Sequence, residues 1–144
     1  MAETRREIAR KGFEVYNERG PDAFIDYLVG IDMIHPDFLF HVQEDLPNGG
    51  SWPGIKGYNQ MTGIWLDAWA EFKIEPHEFI EASTDAILIP VRQHAVAAGS
   101  GMEVDGEFIY VMLFRDGRVS EIHLYADRAA ADRAIEEAAQ LPGQ

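Results

Sequence analysis

Arg92 and His94 stand two positions apart in the run Ala86-Ile87-Leu88-Ile89-Pro90-Val91-Arg92-Gln93-His94-Ala95-Val96. The front of this run is apolar enough for a sheet interior. On a strand, residues two apart point to the same side. A histidine can give or take a proton near neutral pH. An adjacent arginine favours its neutral, basic form and can hold an anionic substrate group. The pair therefore reads as pocket chemistry, with His94 moving the proton and Arg92 stabilising oxygen charge. The bland alternative is a solvent-facing sheet edge or a dimer contact. Tyr110 shares a strand face with Met112 and Phe114, where it serves either as a donor to a ligand oxygen or as a core aromatic.

The elements that must position these residues are legible from periodicity. Ile8, Gly12, Phe13 and Tyr16 share one face of a first helix. Gly20-Pro21-Asp22 ends it and opens a second, short one carrying Phe24 and Leu28. His35-Pro36-Asp37 is a break, and Phe38 to Val42 alternates as a strand. If Phe40 and Val42 face the pocket, His41 faces away. Gln43 to Gly57 is rich in glycine and proline and is expected to be a mobile lid, with Trp52 docking at or near the cavity mouth. Tyr58 to Trp69 reads as a third helix with Met61, Ile64, Trp65, Leu66 and Trp69 on an apolar stripe.

From Phe72 the period changes to two. Strands are expected over 72–82, 86–96, 107–115 and 119–125. Asp116-Gly117 is a strong hairpin signal. Ile122 and Leu124 alternate inward on the last strand, leaving Glu121, His123 and Tyr125 on the outer face. Asp127 caps a terminal alanine-rich helix. His35 and His77 read as surface groups. Helices followed by a strand meander give an α+β domain spanning 1–144, a cone with a cavity between helices and sheet.

Bulk properties narrow the function classes. The chain has 144 residues, a formal charge of −13, no cysteine, and 3 Trp, 5 Tyr and 8 Phe. A chain of this length can bury roughly 68–70% of its unfolded surface, enough for a core without staples. The acidic field repels phosphate backbones, so nucleic acid is not an expected partner. No disulfide or thiolate metal site is possible. No carboxylate or histidine spacing suggests a metal, and the glycines at 49, 50, 54 and 57 do not form a phosphate loop. No apolar run reaches the ~20 residues of a membrane helix. No apolar segment follows Met1-Ala2-Glu3-Thr4-Arg5-Arg6, so a cytoplasmic protein is expected.

Several short motifs then fall in a recognisable order. They are Tyr16-Asn17, Pro36-Asp37, Gly54 and Gly57 before a tryptophan-bearing helix, Ser100-Gly101, Phe114-Arg115-Asp116-Gly117-Arg118-Val119, and Tyr125 with Asp127. Together they resemble the SnoaL-like branch of the nuclear transport factor 2-like superfamily, over nearly the whole chain. The resemblance implies a cone-shaped α+β barrel, a curved antiparallel sheet wrapped over N-terminal helices, and often a homodimer packed through sheets. It implies no single activity, since polyketide cyclases, epoxide hydrolases, isomerases, dehydratases and binding modules share the fold.

In the epoxide-hydrolase-like members an Arg and an Asp occupy the strand pair matching Arg92 and His94; in the cyclases a Gln and a His do. The acid that both groups use on the last strand falls at Leu124. The isomerase base falls near Val42, and its two oxyanion donors near Phe13 and Tyr110. No enzyme set is complete.

Two readings follow. One is a cofactor-independent isomerase, cyclase or dehydratase acting on a small apolar oxygenated substrate. His94, Arg92 and Tyr110 would be catalytic, and Tyr16, Phe40, Trp52, Trp65, Met112, Ile122 and Leu124 would form the binding walls. The other is a non-catalytic ligand-binding or dimerisation module with a vestigial pocket.

Overall fold

The computed structural model describes residues 4–44, 46, 49–83 and 85–140. The chain runs α1 (Arg5–Arg19), α2 (Pro21–Gly30), β1 (Ile34–Val42), β2 (Gly50–Pro53), α3 (Gly54–Ala68), β3 (Trp69–Pro76), β4 (Ile80–Ser83), β5 (Ala86–Ala97), β6 (Glu103–Arg115), β7 (Arg118–Tyr125) and α4 (Arg128–Gln140). One sheet takes the order β2-β1-β7-β6-β5-β3, with β4 also pairing β5. It is α+β, as expected. Its pairings are antiparallel except that β1 lies parallel to β7, so the sheet is mixed. It does not close into the barrel that the resemblance implies, since β2 and β3 end the strand order unpaired with each other.

The two faces of the sheet are packed differently, and this decides where a site can form. On one side Phe13, Phe24, Leu28, Tyr58 and Met61 from α1–α3 pack onto Ile87, Ile89, Tyr110, Met112, Ile122 and Leu124. On the other, Ala131 of α4 with Ala134 and Ile135 covers Leu88, Val111, Leu113 and Tyr125. β5 thus buries both faces through its first half, which explains its unbroken apolar run.

Local chemistry sets the boundaries. Thr4 Oγ1 accepts from the Glu7 N–H at 3.1 Å and caps α1. Asp127 Oδ1 accepts from the Ala129 N–H at 3.0 Å at the start of α4, the capping role expected of it. Asp116 and Gly117, with φ of 56° and 79°, make the tight β6–β7 turn, the left-handed pair that such hairpins favour. The Asn17 side chain bonds both the carbonyl (2.5 Å) and the N–H (3.0 Å) of Ile74. It acts as a substitute strand partner that ties β3 to α1.

Several expectations are corrected. Much of the supposed lid is regular structure. Gly50–Pro53 pairs with β1, and α3 begins at Gly54 rather than Tyr58. Gly57 lets the helix approach the strand, since a Cβ there would meet the Trp52 backbone carbon at 2.6 Å. The lid expectation also covered residues 45, 47 and 48, which lie outside the described residues. The stripe of α3 is narrower than its sequence suggests: Ile64 is 52% and Leu66 45% exposed. The run 72–82 divides into β3 and β4, both paired to β5. The break at His35-Pro36 is a register irregularity inside β1, not its boundary. Among the described residues, no helix is long and apolar enough to cross a membrane.

Candidate functional site

The concave face of β5 carries Ile87, Ile89, Val91, Gln93 and Ala95; the opposite face carries Arg92 and His94. The expectation that Arg92 and His94 face a pocket is therefore corrected. Their cross-strand partners are Glu107 and Asp105, and cross-strand partners share a face. Arg92 lies 3.7 Å from Asp105 and 3.8 Å from Glu107, and His94 lies 3.1 Å from Asp105. Arg92 is half exposed, and the group is a solvated ion-pair network joined by His77, 3.0 Å from Glu107.

Gln93, between them, points the other way and is 5% exposed. Its Nε2 donates to the Tyr110 hydroxyl at 3.1 Å. This pair lies between two chambers. The inner one, about 40 Å³, is walled by Tyr16, Phe40, Trp65, Tyr110, Met112, Ile122 and Leu124. Phe13, Phe24, Val42, Tyr58, Met61, Thr62 and Ile74 complete its lining. The outer one, about 170 Å³, is lined by Leu46, Trp65, Trp69, Phe72, Gln93, Ala95, Val104, Gly106, Phe108 and Leu124. Trp65 and Leu124 are common walls. Val104 is 40% exposed, so the outer chamber reaches the surface.

Six of the seven residues expected as binding walls thus line the inner chamber, as does Tyr110. Trp52 does not line either chamber. It pairs with Phe40 across β1–β2 and packs against the core. Sequence reasoning missed Gln93, which alternation assigns to the face opposite Arg92 and His94.

The polar groups of the chambers are almost all hydroxyl or amide. Burial pushes the Tyr110 phenol well up, helped by the nearby Tyr16, while the Gln93 hydrogen bond acts in the opposite sense. Burial also pushes up Tyr16 and Tyr58. All three are neutral at ordinary pH. Tyr58 donates to the Pro21 carbonyl at 3.1 Å, and Thr62 to the Asn59 carbonyl at 3.2 Å. The Trp69 indole N–H is buried with no partner among the described residues.

Two further polar clusters lie away from the chambers. On the convex face the rings of His41 and His123 are 5.1 Å apart. His41 bonds Ser51 at 3.0 Å, and His123 bridges Glu121 (2.7 Å) and Tyr125 (2.6 Å). His41 therefore faces away from the cavity, and Glu121, His123 and Tyr125 occupy the outer face as expected. Burial, then His123, lowers the His41 pKa. The His123 hydrogen bond holds Glu121 below the usual carboxylate range. Tyr125 is pushed up to about 12, chiefly by burial.

His35, expected at the surface, is 8% exposed. Its Nδ1 accepts from the Asp37 N–H at 3.0 Å, and Arg115 packs on it while pairing with Asp37 at 3.1 Å. Among the described residues, no three His, Asp or Glu side chains converge as a metal site.

No protein-family model matches the chain, and no curated protein matches it. Solved structures do. A nuclear transport factor 2-like protein from Burkholderia thailandensis E264 superposes with a TM-score of 0.73 at 13% identity, covering 93% of this chain and 98% of that one. TerC, co-crystallised with polyporic acid, gives 0.69 at 19% identity, covering 90% and 96%. A candidate SnoaL-like polyketide cyclase from Jannaschia sp. CCS1 gives 0.66 at 15% identity, covering 94% and 96%. At these identities the likeness is one of fold. The resemblance drawn from the motifs holds at that level.

Proposed function

We propose that this chain, built on the nuclear transport factor 2-like fold, binds a small apolar oxygenated molecule in its aromatic cone. Tyr16, Phe40, Trp65, Tyr110, Met112, Ile122 and Leu124 would make the contacts. The observation that carries the reading is the Gln93–Tyr110 hydrogen bond, a polar pair set in a mostly aromatic and aliphatic wall. An apolar pocket with a few convergent polar groups is the usual form of a small-molecule site. The neighbour crystallised with polyporic acid and the neighbour with a cyclase description support a small-molecule ligand.

Acid/base catalysis by His94 and Arg92 loses its support, because both project from the face opposite the chambers. Among the described residues, the titratable groups that line the chambers are tyrosines held protonated by burial. Binding without chemistry is therefore the better-supported of the two readings. The double variant Arg92→Leu/His94→Ala should bind the uncharged fluorescent probe N-phenyl-1-naphthylamine within about twofold of the parent, as expected for distant surface positions. A loss beyond tenfold would return the site to the Arg92 face.

A homodimer through the convex sheet face is the second part of the reading. There α4 packs over Tyr125, while His41 and His123 remain half-buried beside it. Sedimentation velocity at micromolar concentration should give a species of twice the 16.2 kDa chain mass. A single monomeric boundary would reject the dimer.

A further inference from the structure

We propose that the groove between α2 and α3 is a docking surface for a basic amphipathic helix of a partner protein. This goes beyond the small-molecule reading and does not depend on it.

The groove follows from helix period. On α3, Ile55, Asn59, Gly63 and Leu66 recur at helical spacing and share one stripe. On α2, Asp22, Asp26 and Val29 do the same. At one end of the groove, Val29 and Ile55 line a hollow of about 280 Å³ with Ile34 and Phe38. At the other, Asp22, Asp26, Asn59, Gly63 and Leu66 line one of about 490 Å³ with the buried Ile25. The end of α2 thus meets the start of α3, and the start of α2 meets the later turns of α3, so the helices run antiparallel. The length of α2, about 15 Å, spans the two hollows. Gly63 leaves the second hollow open, since a Cβ there would meet nothing within 4 Å.

Exposure sets this surface apart. Of the large apolar side chains left exposed among the described residues, Val29, Ile31, Ile55, Ile64 and Leu66 belong to these helices or adjoin them; Met102 and Val104 lie elsewhere. Exposed apolar residues gathered inside a polar rim mark a contact surface.

Charge selects the occupant. Asp32, in the first hollow, pairs with Arg118 at 2.8 Å. Asp22 and Asp26 stand one turn apart on the α2 wall, exposed, and neither has an ion-pair partner among the described residues. Asp67 adds an acid near the end of α3, and Lys56 is the one basic residue in either helix. A two-fold contact with a second copy would set Asp22 and Asp26 against themselves. An anionic membrane would meet the same acids and a chain of formal charge −13. A helix with aliphatic residues at i, i+3 and i+7, flanked by lysine or arginine, suits both walls. Its apolar stripe fills the hollows and its cations reach Asp22 and Asp26.

The probe is a fluorescein-labelled, amidated peptide of two Lys-Leu-Ala-Lys-Leu-Ala-Lys repeats, whose leucines share one helical face. Its counterpart carries Glu in place of every Lys. Anisotropy titrations at about 0.15 M salt screen diffuse attraction beyond about 8 Å. The lysine peptide should bind about tenfold tighter than the glutamate peptide. Gly63→Phe fills the groove without changing the charge, and replacing an exposed helical glycine does not cost helix stability. It should weaken the lysine peptide about tenfold. Asp22→Lys/Asp26→Lys should weaken it as much. Glu136→Lys/Glu137→Lys, the same charge change on α4, should leave it within about twofold.

A lysine peptide that does not bind, or that binds no better than its glutamate counterpart, would overturn the proposal. So would equal affinity for the parent and Gly63→Phe, or equal losses from the α2 and α4 charge reversals, because the attraction would then be diffuse. A dimer that Gly63→Phe converts to monomer in sedimentation would make the occupant a second copy and overturn it. Binding to phosphatidylserine vesicles that Gly63→Phe abolishes would assign the groove to a membrane and overturn it as well.

Discussion

Ala95→Phe is expected to lower ligand affinity by about a hundredfold while leaving the fold intact. Ala95 is 4% exposed and lines the outer chamber on the same β5 face as Gln93. A phenyl ring there projects into roughly the space that the ligand ring would take, about 170 Å³. Inserting atoms into a packed core typically costs about 1–3 kcal/mol, but here the added ring fills a void and gains contacts. Thermal unfolding should therefore move little, while titration with N-phenyl-1-naphthylamine should show the affinity loss. Unchanged affinity would mean that the outer chamber is not where ligands sit.

Leu124→Asp carries the second large effect. Leu124 is 7% exposed and forms the wall common to both chambers. A carboxylate there meets aromatic rings and two neutral phenols instead of a cation. An uncompensated buried charge costs about 3–5 kcal/mol at neutral pH. Desolvation raises such a carboxyl above its value in the unfolded chain. A group whose pKa is raised on folding is tolerated best below its unfolded value, and the fold loses stability as pH rises through the folded value. The variant's deficit relative to the parent should thus be small near pH 4 and large at pH 7, measured by urea unfolding at both. A deficit independent of pH would mean that water or a cation reaches this wall.

How far the fold could be read from sequence depends on where hydrophobic alternation has one face to report. The Asp116-Gly117 hairpin, the inward Ile122 and Leu124, and the Asp127 cap were all legible because β7 is buried in the cone on one side and polar on the other. β5 is different. Its first half is buried on both faces, by the cone and by α4, so it offers no alternation from which to set the phase of Arg92 and His94. The charges alone then suggest a pocket.

A signal that would have corrected this lies in the partner strand. Asp105 and Glu107 repeat the same two-residue spacing, and folding the chain back across Gly99-Ser100-Gly101 brings them opposite His94 and Arg92. Opposite charges facing one another across a hairpin mark a solvated face. The residue between them, Gln93, then becomes the inward one. His35 was misread for a related reason. Its burial depends on Arg115 and Asp37 meeting across β1 and the end of β6, 80 residues apart in the case of Arg115, and local sequence carries no trace of that contact. Tyr16, Phe40, Trp65, Met112, Ile122 and Leu124 were found because aromatic and aliphatic periodicity and the motif resemblance both assign them to the cone.

Crystals of the chain soaked with N-phenyl-1-naphthylamine should show density for the probe in the outer chamber, against Trp65, Trp69 and Phe108. Density on the convex face beside Arg92 and His94, with both chambers unchanged, would place the site outside the aromatic cone.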